Sequence, residues 1–550
     1  MNLNNLAKIR LTQRSDEEKV IMTQFKKTLL LVLTICSLGI LFYYVQQRNV
    51  QQKNLTDPAF NTVIGWAQAC FNAYPEYDTA IEPDKEPYPQ TILPWDLLIG
   101  SIDQCITKFI DAGYYQKEKW IDAQIPPQDF LQIISNNTMF RYIEIFLANK
   151  PDEAAEMKKI EHEMRMVDTK HPFAQKLHLE PGSKICFFGD IHSSIHSLLR
   201  SLVRLVADGF LNDDFTLAQP NHYIICDGDF GDLGRYGSEV LYTLMKLKAT
   251  NMNRVFLVRG NHDKSAARVE CNLIWELKSK YPLQETLNAI TRIYRLLPAA
   301  IYVGPCKDEN NNDVFIQCCH GGIEIGFDPA LLLNTANKNQ MFQKINAFDE
   351  SMVQRLIDAQ VLDNNVRQDN NIDGFVWSDF KQKLDGKIAL NLERKFGYVL
   401  DIEAMHKFLK VTNIKAFFRA HQDKHFGLKL FFAEGTTVPE NVLKKHSEYP
   451  NGPYHWIDVV SADDQANPDG FLVSKYGPVY TFSTAAEGRG LISDCYGIFT
   501  TAEHYADWRL KPHEHILPEK RLGYYVTMNL DKKEPNARLI NVRFSHIQNR

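Results

Sequence analysis

Asp190-Ile191-His192, Gly228-Asp229, Gly260-Asn261-His262-Asp263, His320-Gly321-Gly322 and Arg419-Ala420-His421-Gln422 recur in that order through the middle of the chain. Each block directly follows a short run rich in β-branched and aromatic residues, at 184–188, 223–226, 255–258, 314–319 and 414–418. Such runs predict strands. Each block therefore falls where a strand gives way to a loop, which is where open α/β folds gather their chemistry. The side chains offered are carboxylate, imidazole and carboxamide. Two hard divalent cations about 3.5 to 4 Å apart need such oxygen and nitrogen ligands converging from several elements, with one carboxylate shared. Asp190, His192, Asp229, Asn261, His320 and His421 meet that need. Taken singly, an Asp-x-His is an ordinary surface turn, an Asn-His-Asp a capped helix start, and a His-Gly-Gly a flexible bend. Five in succession, each behind a strand-like run, point to a dinuclear metal site.

Order and wording of the blocks resemble the phosphoprotein phosphatases, the eukaryotic-type serine/threonine branch of the calcineurin-like metallophosphoesterases. Leu297-Pro298-Ala299-Ala300, Cys318-Cys319-His320-Gly321-Gly322 and Trp377-Ser378-Asp379 carry the resemblance beyond the ligands, and it covers residues 182–499. It implies an α/β metallophosphoesterase sandwich, two mixed sheets flanked by helices. It also implies one metal on Asp190, His192 and Asp229 and a second on Asp229, Asn261, His320 and His421, with Asp229 bridging. Manganese, iron and zinc all suit these ligand types. A water shared by two such cations would ionise near neutral pH and attack phosphorus in line with the leaving oxygen. By the same resemblance His262 would protonate the departing alkoxide and Asp232 would fix its tautomer. Asp232 equally suits a helix N-cap, and Asp263 suits a cap better than a ligand.

Arginines should grip the non-bridging phosphate oxygens, since a planar fork of donors matches phosphate bidentately. Arg259 and Arg419 lie beside ligand blocks. The family's second block runs Gly-Asp-x-x-Asp-Arg-Gly, whereas Leu233 stands at the arginine position here, so Arg235 and Arg394 become the candidate clamps. Ser193-Ser194 replaces the family's Gly-Gln, and Ser483-Thr484-Ala485-Ala486-Glu487-Gly488 replaces a segment that carries an aromatic beside the cleft. The expected activity is hydrolysis of phosphoserine and phosphothreonine in proteins, with phosphotyrosine left open by these departures. Two alternatives remain: a nucleotide or other small phosphoesterase on the same scaffold, and a non-catalytic membrane-tethered binding protein with a degenerate site.

With 62 basic against 67 acidic residues and no basic stripe interleaved with aromatics, nucleic acid is not an expected partner. The uncharged run TLLLVLTICSLGILFYYV at 28–45, flanked by Lys26, Lys27 and Arg48, predicts a short membrane helix and a single-pass protein. Six basic residues ahead of it favour a cytosolic N-terminus, whereas nine cysteines beyond it, several on expected buried strands, read as reduced thiols. Those two signals oppose each other and leave the side of the catalytic domain open, including delivery into a host cell. The departures and the long N-terminal region resemble the Wip-type effector phosphatases of intracellular bacterial pathogens. Expected organisation is a tail at 1–27, the membrane helix at 28–45, a helical region at 46–180, the metallophosphatase domain at 181–500 with an insertion at 436–476, and a C-terminal extension at 501–550. Within the helical region, apolar residues at three- and four-residue spacing predict helices over 95–114 and 130–146, and the charged stretch 152–170 predicts a solvated one.

Overall fold

The computed structural model describes residues 58–516 except 78–80, 83–85, 115, 122–171, 264–271, 337–340, 346–348, 364–372, 382–384, 423–427, 434–442, 445–453, 460–468 and 486–492. The expected membrane helix and the helices at 130–146 and 152–170 lie outside the described residues, among which no helix is long and apolar enough to cross a membrane. The chain divides into two units, Met1–Asn61, whose described part is the short helix Pro58–Asn61, and Thr62–Arg550. Both large sheets belong to the second unit.

One sheet has six strands in the order β15-β18-β17-β2-β3-β4 among the described residues. These are β2 Lys184–Phe188, β3 His222–Cys226, β4 Val255–Leu257, β15 Phe471–Leu472, β17 Ser493–Thr500 and β18 Arg509–Ile516. The first three run parallel and β17 returns antiparallel against β2. The other sheet has, among the described residues, nine strands, ordered β13-β14-β12-β16-β11-β6-β5-β1-β7. They are β1 Phe173–His178, β5 Ala300–Lys307, β6 Asp313–Cys318, β7 Met341–Lys344, β11 Ile414–Arg419, β12 Leu428–Ala433, β13 Leu443–Lys444, β14 Tyr454–Val459 and β16 Val479–Phe482. A small third sheet joins β8 Asp379–Phe380, β10 Tyr398–Leu400 and β9 Ala389–Leu390.

The central strands are near-continuous apolar runs because both their faces are covered. Phe187 of β2 meets Phe418, Phe482 and Phe499 at ring-centroid distances of 6.0, 5.0 and 6.3 Å, and Phe418 stacks on Phe499 at 3.8 Å. Each such ring contributes about 2 to 3 kcal/mol on burial, so this interdigitated layer locks the two sheets face to face. Registers Phe188↔Cys226, Cys226↔Leu257 and Cys318↔Phe418 bring the ends of neighbouring strands level. Between the sheets, Asp190 bridges Ser483 and accepts a hydrogen bond from Thr484 N at 2.8 Å. The loops after β2, β3, β4, β6 and β11 thereby share one rim.

Helices α1 Val63–Ala73 and α2 Trp95–Asp111 are not a separate region; they pack on the helices of the catalytic fold. Trp66 Nε1 of α1 donates to Thr243 Oγ1 at 2.8 Å on α4 Gly237–Thr250, which follows α3 Ile195–Ala207. On α2, Leu98, Ile102, Ile106 and Phe109 are buried as their spacing predicts, but Ile110 is 47% exposed. The stretch expected to be helical also contains β1, which lies between β5 and β7. Its sequence FAQKLH hides that role, because Lys176 is buried with its ammonium satisfied by the carbonyls of Leu333 and Thr335 at 2.8 and 2.9 Å. The expected boundary at residue 500 is likewise passed: β18 pairs with β17 from Arg509 to Ile516. Within 436–476 the described residues supply β13, β14 and β15, so this insertion widens the sheets.

Candidate metal centre

Four site residues sit in left-handed backbone that side chains other than glycine rarely adopt: His192 (φ 43°), Asp229 (φ 51°), Asp232 (φ 72°) and His421 (φ 73°). Each costs on the order of 1 to 3 kcal/mol and persists only where its surroundings over-determine it. Asp263 is one such restraint. Its carboxylate accepts hydrogen bonds from Asp229 N at 2.6 Å, Gly260 N at 3.0 Å and Phe230 N at 3.1 Å. The loops approach so closely that a Cβ on Gly228 would strike the backbone of Gly260, and one on Gly260 would strike Asp229. Asp190 Oδ2 accepts from His421 N at 2.8 Å, and Asp229 Oδ1 accepts from His262 N at 2.8 Å, tying loops from both sheets together.

These restraints bring the expected ligands to one point. Asp229 Oδ2 lies 3.5 Å from His192 Nε2, 3.1 Å from His320 Nε2 and 4.0 Å from His262 Nε2. Asp190 Oδ1 is 3.8 Å from both His192 Nε2 and His320 Nε2, and Asn261 Oδ1 is 2.9 Å from His320 Nε2. The donor atoms form two clusters that share Asp229, one with His192 and His262 and one with His320 and His421. His320 Nδ1 faces the carbonyl of Asp227 at 2.8 Å and His192 Nδ1 that of Gly231 at 3.4 Å, contacts that take an Nδ1–H and turn Nε2 inward, where it would be the ligand atom once its own proton is lost. The buried His421 Nε2 makes no hydrogen bond among the described residues. Oxygen and imidazole donors with no thiolate fit a pair of hard or borderline divalent cations.

Electrostatics favour the same occupant. Burial alone would lower His320, but the carboxylates of Asp229, Asp190 and Asp227 outweigh it and raise the imidazole to about 9. His421, 5.0 Å away ring to ring, is held well below the usual histidine range by burial and then by Arg394, His320 and Arg419. Burial also drives Asp227 well above the carboxylate range. Carboxylates crowded into a buried pocket repel one another, and a bound cation relieves that repulsion.

His262 stands at the edge of this pocket, 21% exposed, with Nδ1 2.6 Å from Asp232 Oδ2. Asp232 Oδ1 meanwhile accepts from Asn272 N at 2.5 Å, the first residue of α5 Asn272–Lys280. Asp232 is not the N-cap of the helix that follows it, a place held by Tyr236; one oxygen faces the imidazole and the other takes the first backbone N–H of α5, forty residues on.

The four arginines separate. Arg419 is fully buried, its Nε, Nη1 and Nη2 donating to Gly321 O, Gln422 Oε1 and Ser378 O, so it buttresses the ligand loops from beneath and is not placed as a phosphate clamp. Arg235 is turned to other partners: its guanidinium lies 3.7 Å over the Tyr77 ring and donates to Glu86 Oε1 at 2.5 Å. Arg259, also buried, reaches the carbonyl of Leu297 at 3.4 Å. Arg394 alone of the four is partly exposed, at 33%, held by Nε on Asp379 Oδ2 at 2.6 Å. Asp379 Oδ1 is in turn 3.7 Å from His421 Nε2. Asp379 and Asp263 are the residues whose place at the site their sequence position did not disclose; the quoted Trp-Ser-Asp block was the available signal for the first.

Residues 183–424 match the calcineurin-like phosphoesterase family. Serine/threonine-protein phosphatase 2B catalytic subunit A1 of Saccharomyces cerevisiae is 28% identical over 256 residues, which are 46% of this chain and 40% of that protein. Serine/threonine-protein phosphatase 7 of Arabidopsis thaliana is 26% identical over 281 residues, 48% of this chain and 62% of that one. Serine/threonine-protein phosphatase rdgC of Drosophila melanogaster is 38% identical over 112 residues, 20% of this chain and 15% of that one. The chain spans about half the length of the curated relatives it matches.

Proposed function

We propose that the chain, whose residues 183–424 match the calcineurin-like phosphoesterase family, is a metal-dependent phosphoprotein phosphatase acting on phosphoserine and phosphothreonine. The observation that carries the reading is the convergence on Asp229 Oδ2 of His192, His320 and His262 within 4.0 Å, with His262 backed by Asp232. Asp190, His192, Asp229, Asn261, His320 and His421 would hold two divalent cations. When bound, such a pair neutralises phosphate charge and makes a water acidic enough to ionise near neutral pH. Arg394, braced by Asp379, would take the non-bridging phosphate oxygens. His262 donates Nδ1–H to Asp232, which leaves Nε2–H to protonate the departing serine or threonine oxygen; the imidazole regains its proton from solvent. Asp232 keeps the ring in that tautomer.

Turnover of phosphoserine, phosphothreonine and phosphotyrosine peptides and of nucleotides, measured on the purified chain with added manganese and with Asp229→Asn as control, tests the reading. Preference for phosphoserine or phosphothreonine peptides supports it. Preference for nucleotides, or no turnover of any phosphoester, overturns it.

A further inference from the structure

We infer that Tyr88, with the backbone of Ile81, is a positioning brace for the Asp232–His262 pair, an inference that rests on the phosphatase reading. Asp232 Oδ1 takes two backbone donors, Leu233 N at 3.0 Å and Asn272 N at 2.5 Å, and its Oδ2 faces His262 Nδ1. Both donor residues are gripped from the other side by the part of the chain that precedes the catalytic sheets. Ile81 N donates to Leu233 O at 3.2 Å, and Ile81 O accepts from Asn272 Nδ2 at 3.4 Å. The Tyr88 hydroxyl donates to Asn272 O at 2.8 Å.

Three features make this more than packing. Asp232 and Leu233 both have left-handed backbone, φ 72° and 65°, so their loop holds its shape only under restraint. Tyr88 is buried, and burial pushes its phenol far above the usual range, so it stays a donor. Neighbours of the same stretch are pinned to the same loop, since Tyr77 and Glu86 hold the guanidinium of Arg235. That also gives Arg235 a use: it anchors the brace. The chemical consequence is specific. A brace on Asp232 governs how well His262 is oriented to give up its Nε2 proton, so it matters most where the leaving oxygen needs one.

The test is Tyr88→Phe in the full chain, assayed with phenyl phosphate, whose leaving group needs a proton, and p-nitrophenyl phosphate, whose leaving group does not. Loss of one neutral hydrogen bond should lower kcat on phenyl phosphate about fivefold and on p-nitrophenyl phosphate less than about twofold, with KM unchanged. In a His262→Asn background Tyr88→Phe should have no further effect, because the two act in one line. Equal losses on both substrates, no loss on either, or additivity with His262→Asn would overturn the brace. Should the wild-type chain turn over neither substrate, the phosphatase reading is decided by the phosphopeptides. The brace is then judged by the downfield proton resonance of the His262 Nδ1–H: a shift or broadening in Tyr88→Phe supports it, and an unchanged signal overturns it.

Discussion

Replacing Asp263 by asparagine removes one acceptor from a residue that touches no metal in the proposed site yet holds the loop of the shared ligand. In the native protein Oδ2 accepts from both Asp229 N and Gly260 N, and Oδ1 from Phe230 N. An amide has one carbonyl oxygen, so either flip turns an NH2 group toward at least one backbone N–H. The gentler flip keeps the Asp229 and Gly260 bonds and strands Phe230 N. Burial and the charge of Asp229 raise the Asp263 carboxyl to about 7, so the carboxylate that accepts all three bonds is the form above that pH, where the comparison is made. One lost bond at ~1 kcal/mol plus an unsatisfied buried donor at ~1 to 2 kcal/mol gives about 2 to 3 kcal/mol of lost stability. Because the lost restraint supports left-handed Asp229, manganese affinity should also fall about 10- to 100-fold, the usual cost of disturbing residues that orient ligands. Urea unfolding of the metal-free protein reads the first quantity and calorimetric manganese titration the second. Wild-type values for both would refute the claim that Asp263 shapes the site.

Arg394→Ala should raise KM about tenfold or more with the protein still folded, whereas Arg419→Ala, which strands the carbonyls of Gly321 and Ser378, should lower stability by several times ~1 kcal/mol; steady-state kinetics beside thermal melts separate the two. Glu324 offers a pH prediction: burial, opposed by the Gly374 N–H bond, raises it to about 8, well above its unfolded value. The folded state therefore keeps the proton where the unfolded state has lost it, and stability should fall as pH rises between about 4.5 and 8, by up to about 1.4 kcal/mol per unit. Glu324→Gln should flatten that slope in urea unfolding run across the same range. Asp229→Asn should abolish turnover and weaken manganese binding while leaving the metal-free melting curve close to wild type; a collapsed melt would show that the carboxylate, not its ligand role, is what the fold requires.

Much of the fold was legible because its decisive strands are covered on both faces. Runs such as Ile185 to Phe188 must then be apolar throughout, and they stand out from their polar turns. β1 was not legible for the opposite reason. Gln175 and Lys176 are buried in it, and only the tertiary partners of Lys176, the carbonyls of Leu333 and Thr335, make that tolerable. The arginines show a second limit. Adjacency to a ligand block fixes where a Cα lies but not where the rest of a long side chain goes, so Arg419 beside His421 proves to be a buttress and Arg394, far from any block, reaches the site through Asp379.

The ligand blocks were readable for a reason deeper than ligand chemistry. A strand that ends in a tight turn and must point a side chain back over its own sheet needs left-handed backbone at the turn, and glycine, which adopts it most easily, has no ligand to offer. Asparagine, aspartate and histidine are the side-chain-bearing residues most enriched in that conformation, and they are also the oxygen and nitrogen donors hard cations accept. His192, Asp229 and His421 satisfy both demands at once, at φ 43°, 51° and 73°. Glycine appears instead at 228 and 260, where no side chain fits because two loops touch backbone to backbone. Block composition thus encodes a turn geometry as well as a coordination set. On this view Asp229→Asn leaves the turn intact and removes only charge, whereas a β-branched residue at 229 would break the turn before any question of metal arose.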